Sequence, residues 1–172
     1  MTILSLSLLL PLSVHQQADP ELYIRPSTGV KELLTSLQAA GKQLFLASNS
    51  SFGFVDRGMC HVYGKDWRDF FDLVIVSADK PNFFSGKHRR PFREVNPVTG
   101  RPQMHKVKSL REDAVYAAGG VESLQAMTGW KAGDVLYCGD SLFADLVDAH
   151  RANGWHTAAI INELEEEISV ST

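Results

Sequence analysis

The hydrophobic positions of the chain follow helical spacing in three segments. Each segment repeats apolar residues at or near i, i+3, i+4 and i+7, which is typical of the buried face of an amphipathic helix. Pro26-Ser27-Thr28 is a start signal for the first helix, and Gly41 and Gly154 are stop signals for the first and third. The apolar positions are Val30, Leu33, Leu34 and Leu37 in the first segment, Phe52, Val55, Met59 and Val62 in the second, and Leu142, Phe143, Leu146 and Val147 in the third. A fourth, short and acidic helix is expected over residues 162–168.

Short runs of continuously apolar residues separate these helices and predict strands. Because the runs are apolar on both faces, they suit interior strands of a parallel sheet that is covered by helices on both sides. Strands that alternate with helices indicate an α/β fold with a mainly parallel sheet. The runs are Leu44–Ala47, Leu73–Val76, Val135–Cys138 and Thr157–Ile161.

Residues 85–111 interrupt this alternation with a basic insert. They hold eight of the seventeen Lys and Arg residues and one acid, Glu94, so the insert carries a charge of +7 and the rest of the chain −10. Pro97-Val98-Thr99-Gly100 is typical of a hairpin turn between Phe92–Asn96 and Arg101–His105. The insert is either an anion- or nucleic-acid-binding patch or a solvated hairpin paired with acidic surface elsewhere. We favour the second interpretation, because few aromatic residues are present to stack on bases.

Composition and charge restrict the class of protein. The chain has 172 residues, of which 44% are hydrophobic and 22% charged, and its net charge is −3. This length is typical of one domain, and this balance excludes disordered, collagen-like and coiled-coil classes. The acidic net charge argues against general nucleic-acid binding. Cys60 and Cys138 are too few and too far apart for a disulfide framework or a CxxC metal site, so we expect two reduced thiols in a cytoplasmic protein.

Residues 1–20 form an apolar N-terminal segment that differs from residues 21–172. Ile3–Val14 is apolar over about a dozen residues, whereas a membrane-spanning helix needs ~20. The run has the length of a signal-peptide core, but no Lys or Arg precedes it and Gln16-Gln17-Ala18 is a poor cleavage site. Three interpretations stand: a cleaved signal, a buried strand, or a non-native start. We favour the last two.

Polar and ionisable residues follow three of the predicted strands. Ligands of parallel α/β sheets bind outside the carboxyl ends of the strands, so we expect these residues to lie at one edge. Hydroxyl and amide donors with a lysine suit a phosphate group, and carboxylate oxygens suit Mg²⁺. Each residue alone has an ordinary explanation as part of a turn or helix cap, but their order and placement favour a phosphate site. The residues are Ser48, Asn49, Ser50 and Ser51 after the first strand, Lys80 after the second, and Asp140 and Asp145 after the third.

Three segments resemble motifs II, III and IV of haloacid-dehalogenase-type phosphatases. They are FLASNS (45–50), ADKPNFF (78–84) and YCGDSLFADL (137–146). The closer resemblance is to cytosolic purine 5′-nucleotidases and their 5′-nucleotidase-domain-containing relatives, and it extends over residues 21–172. Further support comes from YIRPS (23–27), RRPFREVNPVTG (89–100) and GWHTAAIINELEEEI (154–168). The resemblance implies the C-terminal part of a Rossmann-like, haloacid-dehalogenase-type core with a small basic hairpin insert.

The resemblance also implies an activity, namely Mg²⁺-dependent hydrolysis of purine nucleoside 5′-monophosphates through an aspartyl-phosphate. Such phosphoryl transfer depends mainly on positioning and charge neutralisation, which suits the residue types present. The implied assignments are phosphate binding by Ser48, Asn49, Ser50, Ser51 and Lys80, and Mg²⁺ binding by Asp140 with support from Asp145.

The first motif of that family, a strand ending in Asp-x-Asp, is absent from this chain. The resemblance implies that its first aspartate is the nucleophile and a metal ligand, and its second the general acid and base. Asp19-Pro20-Glu21 has the spacing, but it lies five residues beyond the apolar run. The missing strand belongs between the strands that lead to Ser48 and Asp140, where Ile3–Leu10 fits without supplying a carboxylate. We therefore expect an incomplete core that is marginally stable or depends on a partner, weak Mg²⁺ binding, and little or no hydrolysis by this chain alone.

Three functional hypotheses remain. The first is a truncated 5′-nucleotidase-like member with nucleoside monophosphate or phosphate as its ligand and Mg²⁺ as its cofactor. The second is a non-catalytic binding or regulatory module that forms homo-oligomers or associates with full-length relatives. The third is a secreted or membrane-inserted protein that uses its N-terminal segment. We favour the first, in the cytoplasm, with neither nucleic acid nor a membrane as partner.

Overall fold

A seven-stranded sheet forms the centre of the protein. The computed structural model describes residues 3–6, 24, 28–86 and 90–161, with residues 3–6 and 28 described by their backbone alone. The strands are β1 (Ile3–Leu6), β2 (Gln43–Ala47), β3 (Leu73–Val76), β4 (Phe92–Glu94), β5 (Val115–Ala118), β6 (Val135–Gly139) and β7 (His156–Ala159). Their order in space is β4-β5-β3-β2-β1-β6-β7, and every neighbouring pair is parallel except β4 with β5. The predicted α/β fold with a mainly parallel sheet is confirmed.

Helices cover both faces of the sheet, as expected for parallel strands that are apolar on both sides. The α-helices are α1 (Thr28–Ala39), α2 (Phe52–Tyr63), α3 (Asn82–Ser85), α4 (Val121–Thr128) and α5 (Asp148–Arg151), and 3₁₀ turns lie at Trp67–Phe70 and Ala132–Asp134. The predicted helix after β6 begins as a π-helix over Leu142–Val147 and continues as α5. Within the described residues no helix has the length and apolar character needed to cross a membrane.

Successive residues of each interior strand point to opposite faces and fill two separate cores. On β2, Phe45 and Ala47 join one core, in which aromatic rings from β6 and from the segment after α5 pack together. Leu44 and Leu46 join the other, together with buried residues of α1 and α2. The sheet is therefore the middle layer of three, and the two cores hold its carboxyl edge in a fixed position.

The central place of the sheet is taken by β1. Leu6 lies opposite Leu46 of β2 and opposite Cys138 of β6, so β1 pairs with a parallel neighbour on each side. This is the place expected for the missing motif strand, and Ile3–Leu6 occupies it. The sequence left open whether this place would stay empty or be filled by Ile3–Leu10, and it is filled, because backbone hydrogen bonding needs a strand of suitable length and no particular side chain.

The basic insert contains the predicted hairpin in a shortened form. The turn closes by hydrogen bonds between the Asn96 and Arg101 backbones and between Gly100 and Asn96, and a single bridge joins Val95 to Pro102. Only its first arm becomes a strand, β4, because that arm pairs antiparallel with β5. Strand β5 and helix α4 were not predicted, and for β5 the reason is that the alanine-rich run Val115–Ala118 carries a weak hydrophobic signal.

The last strand begins and ends earlier than expected, at His156–Ala159. The acidic helix predicted over residues 162–168, and the Asp19-Pro20-Glu21 segment, lie outside the described residues. Cys60 and Cys138 are free and partly buried. Their partial burial agrees with the sequence-based expectation, and burial raises the pKa of both thiols.

Candidate functional site

The structure brings several of the predicted site residues to the carboxyl edge of the sheet. Ser48 directly follows β2, Lys80 lies in the loop after β3, and Asp140 directly follows β6. Ser48, Lys80 and Asp145 are buried, whereas Asp140 is exposed. Two of these buried groups carry charge, so their partners decide what the site can do.

Lys80 and Asp145 form a buried ion pair. The Lys80 Nζ lies 2.7 Å from Asp145 Oδ1, and both side chains are 0% exposed. Nζ also donates to the Ala47 carbonyl at 3.0 Å and to the Tyr137 hydroxyl at 3.1 Å. The Tyr137 hydroxyl in turn donates to Asp145 Oδ1 at 3.2 Å. An ammonium has three N–H donors, and the protein itself supplies an acceptor for each of them.

Burial governs the electrostatics of this pair. It lowers the pKa of the Lys80 ammonium, and the charge and hydrogen bond of Asp145, together with the charge of Asp140, oppose that shift. The carboxylate therefore offsets only part of the free-energy penalty for placing a positive charge in the protein interior. A lysine in this setting acts as a local positive charge beside the sheet edge.

Asp145 is fixed in place by the turn after β6. Its Oδ2 accepts a hydrogen bond from the Ser141 amide at 3.2 Å, and the Ser141 hydroxyl accepts one from the Ala144 amide at 3.2 Å. These reciprocal bonds cap the π-helix that carries the aspartate. Gly139 lies so near that an added Cβ would be 2.5 Å from Asp145 Cβ, so the close approach requires a residue without a side chain.

Asn49 connects the β2 turn to the lysine loop. Its Oδ1 accepts from the Lys80 amide at 2.6 Å, and its Nδ2 donates to the Lys80 carbonyl at 2.9 Å. The side chain therefore mimics a strand neighbour and holds the loop beside the turn. Asp79 and Ser77 in this loop have positive φ values of 65° and 48°, a conformation that costs energy for residues other than glycine.

The turn after β2 carries hydrogen-bond donors beside the N-terminus of helix α2. The Ser48 hydroxyl accepts from the Ser50 amide at 3.1 Å, which shapes the turn. Ser51 is the N-cap of α2, and its side chain makes no capping hydrogen bond. The Ser50 and Ser51 hydroxyls and the first amides of α2 therefore form a group of donors suited to an anion.

These residues do not by themselves fit a Mg²⁺ ion. Both oxygens of Asp145 already accept hydrogen bonds, one of them from the lysine. Among the described residues no three His, Cys, Asp or Glu side chains come together as a metal site. Asp140 is exposed, but the second predicted metal ligand, Asp145, is already engaged, whereas Mg²⁺ usually needs more than one anionic ligand.

Sequence reasoning missed the two groups that complete the lysine environment. Tyr137 was placed in an apolar strand and in the segment YCGDSLFADL without a role in the site, and the Ala47 carbonyl has no signature in sequence. The segment YCGDSLFAD does contain a signal for the contact between Tyr137 and Asp145. Tyr137 and Gly139 lie on the same face of β6, and only a residue as small as glycine leaves room for Asp145 beside them.

Comparison with known proteins gives a consistent result. Residues 11–172 match the model of the 5′ nucleotidase family. The human 5′-nucleotidase domain-containing protein 2 is 44% identical over 154 residues, which cover 90% of this chain and 29% of the human protein. A 5′-nucleotidase domain-containing protein of Dictyostelium discoideum is 35% identical over 160 residues, covering 89% of this chain and 27% of that protein. The chain thus spans less than a third of the length of these relatives, and β1 lies outside the residues matched to the family.

Proposed function

This chain belongs to the 5′ nucleotidase family, and we propose that it binds the phosphate group of a nucleoside 5′-monophosphate without hydrolysing it. The ligand class follows from the family, and the absence of turnover follows from the residues at the sheet edge. The described residues supply donors for a phosphate and a buried positive charge, but no carboxylate in the place where the family's nucleophile is expected.

The central strand carries this proposal. β1 occupies the place between β2 and β6, and residues 1–18 contain neither Asp nor Glu. An aspartyl-phosphate requires a carboxylate in line with the phosphorus atom. Asp145 cannot substitute, because it is buried against Lys80 and the turn that follows β6.

Phosphate binding rests on the turn after β2. Ser50 and Ser51 offer hydroxyl donors beside the first amides of the 12-residue helix α2. Lys80 adds a positive charge behind this turn, although its N–H donors are used within the protein. The lysine therefore favours an anion through its field, while the serines and amides make the direct contacts. We infer that this binding does not depend on Mg²⁺.

Titration of the purified chain with AMP and IMP tests the proposal, with binding followed by calorimetry and phosphate release by a colorimetric assay, each with and without Mg²⁺. We expect binding, no release, and equal affinity in the two conditions. The double variant Ser50→Ala/Ser51→Ala should bind at least about tenfold more weakly, since hydrogen bonds to a charged ligand contribute about 1.5–3 kcal/mol. Ser109→Ala, an exposed serine in the basic insert, is the matched control.

Two results would contradict the proposal. Mg²⁺-dependent phosphate release that is lost in Asp140→Asn would mean that a nucleophile is present and the chain is a hydrolase. No binding of either nucleotide to protein with a cooperative unfolding transition would mean that the turn after β2 is a structural turn and not a site.

A further inference from the structure

A cavity lined by two arginines lies on the same edge of the sheet, on the β5 side of the lysine loop. It has a volume of about 440 Å³ and is lined by Ser77 after β3, Ala118 at the end of β5, and Arg90 and Arg93 of the basic insert. The Lys80 ammonium instead contacts β2, β6 and Asp145. The two places share the edge of the sheet and the loop between Ser77 and Lys80, but they use different side chains.

Arg93 is held with one side of its guanidinium left for a ligand. Its Nη1 donates to the carbonyls of Gln103 and Met104, which fixes the side chain against the hairpin. Among the described residues, neither Nε nor Nη2 donates a hydrogen bond. These two nitrogens form the side edge of the guanidinium, and that edge matches two oxygens of one phosphate or carboxylate group.

Arg90 and Ser77 add further donors to this cavity. Arg90 is exposed, and its contact with a charged group is a loose pair with Asp79, whose Oδ2 lies 3.6 Å from Nη1. The Ser77 amide donates to the Ser50 carbonyl, and among the described residues no group makes a hydrogen bond with the Ser77 hydroxyl. Ser77 and Ala118 both have positive φ values, 48° and 63°, so the backbone that lines the cavity is held in a conformation that residues with side chains rarely adopt. Such strain collects at binding sites, because the surrounding structure must enforce it.

We propose that this cavity binds a phosphate group of a phosphorylated small molecule, with Arg93 as the bidentate anchor and Arg90 and Ser77 as additional donors. Two guanidinium groups match the double charge of a phosphate monoester better than the single charge of a carboxylate. The cavity is larger than one phosphate and leaves room for the organic part of the ligand. This assignment stands whether or not the turn after β2 binds a nucleotide.

Under this assignment, part of the basic insert binds a phosphorylated ligand. The sequence favours a solvated hairpin paired with acidic surface, and the Arg111 pairs with Glu94 and Asp113 fit that interpretation for one part of the insert. Arg90 and Arg93 differ, because no Asp or Glu is among the described residues that line their cavity, and Arg90 pairs only loosely with Asp79 outside that lining. The assignment concerns a small phosphorylated ligand and no nucleic acid.

Nuclear magnetic resonance of the whole chain tests the assignment, with inorganic phosphate as the probe and acetate as the comparison. Phosphate should shift the backbone amides of Ser77 and Ala118 and the side-chain Nε signal of Arg93, and acetate should do so at least about tenfold more weakly. The turn after β2 reports separately through the amides of Ser50 and Phe52. If the proposed function is wrong and this assignment is right, phosphate will still shift the signals of the cavity residues, and the amides of Ser50 and Phe52 will not move.

Variants distinguish a built site from general attraction by the basic insert. Arg90→Gln should weaken phosphate binding at the Ser77 and Ala118 signals about tenfold, and it removes no contact that supports the fold. Arg93→Lys keeps the charge but loses the two-pronged contact, and it should weaken binding by a similar factor. Arg101→Gln, an arginine outside the cavity, is the matched control and should have no effect. Unchanged shifts in Arg90→Gln, equal weakening by Arg101→Gln, or equal affinity for acetate would each overturn the assignment.

Discussion

Removing one member of the buried ion pair should destabilise the protein far more than removing both. Nζ of Lys80 and Oδ1 of Asp145 are 2.7 Å apart, and an effective dielectric constant of about 20 gives an attraction of about 6 kcal/mol. Burial of each charge costs several kcal/mol, so the pair as a whole roughly balances. Burial lowers the pKa of the Lys80 ammonium, and the charge and hydrogen bond of Asp145 oppose that shift. A single truncation leaves the other charge buried without compensation.

The magnitudes follow from this balance. Lys80→Met and Asp145→Leu should each lower the free energy of unfolding by about 3–5 kcal/mol, and the double variant should fall within about 2 kcal/mol of the wild type. Urea denaturation followed by circular dichroism measures the difference. With a slope of about 2 kcal/mol per molar, each single variant should unfold at roughly 2 M less urea.

A surface pair provides the control for this cycle. Arg111 Nη2 lies 3.1 Å from Glu94 Oε1, but the two side chains are 59% and 29% exposed. The same cycle with Arg111→Met and Glu94→Leu should give a coupling of no more than about 1 kcal/mol. If the Lys80→Met/Asp145→Leu double variant loses as much stability as the two single variants together, the charges do not compensate each other and the reasoning is wrong.

Three further changes test other parts of the site. Gly139→Ala places a Cβ 2.5 Å from Cβ of the ion-pair aspartate, so it should cost about 1–3 kcal/mol, whereas Gly133→Ala, where a Cβ meets nothing within 4 Å, should cost far less in the same urea titration. Asn49→Ala removes two hydrogen bonds to the lysine loop and should lower the free energy of unfolding by about 1–3 kcal/mol. A loss below ~0.5 kcal/mol, the size of an ordinary surface effect, would show that the loop keeps its place without these bonds. Ser5→Pro removes a ladder hydrogen bond from the central strand and should cost about 3 kcal/mol or more, while Ser5→Ala keeps the amide and tests whether the loss is due to the backbone.

The sequence predicted the layers of the fold better than its edges. Interior strands such as Leu73–Val76 are continuous apolar runs, and the structure places this one at the predicted residues. Parallel strands align their carboxyl ends, so the same pattern also places Ser48, Lys80 and Asp140 at one edge. Strand β5 was missed because alanine contributes little to a hydrophobic pattern, and packing against its neighbours decides its conformation.

The closed arrangement of the site could not be read from the sequence. Lys80 and Asp145 are separated by 65 residues, and either could have faced solvent or a ligand. Their meeting depends on the rotation of the π-helix, on the missing side chain at Gly139, and on the Tyr137 hydroxyl between them. Such contacts are fixed by packing in three dimensions. The hydrophobic period and the spacing of residues along the sequence do not determine them.

The position of β1 makes the centre of the sheet continuous. The strand lies outside the residues that match the family, yet it pairs with a neighbour on each side at the centre of the sheet. Backbone amides and carbonyls form these pairs whatever the side chains are, so the segment ILSL serves here without a charged residue. The facing edges of β2 and β6 are therefore both paired, whereas an unpaired strand edge is a template for association with another chain.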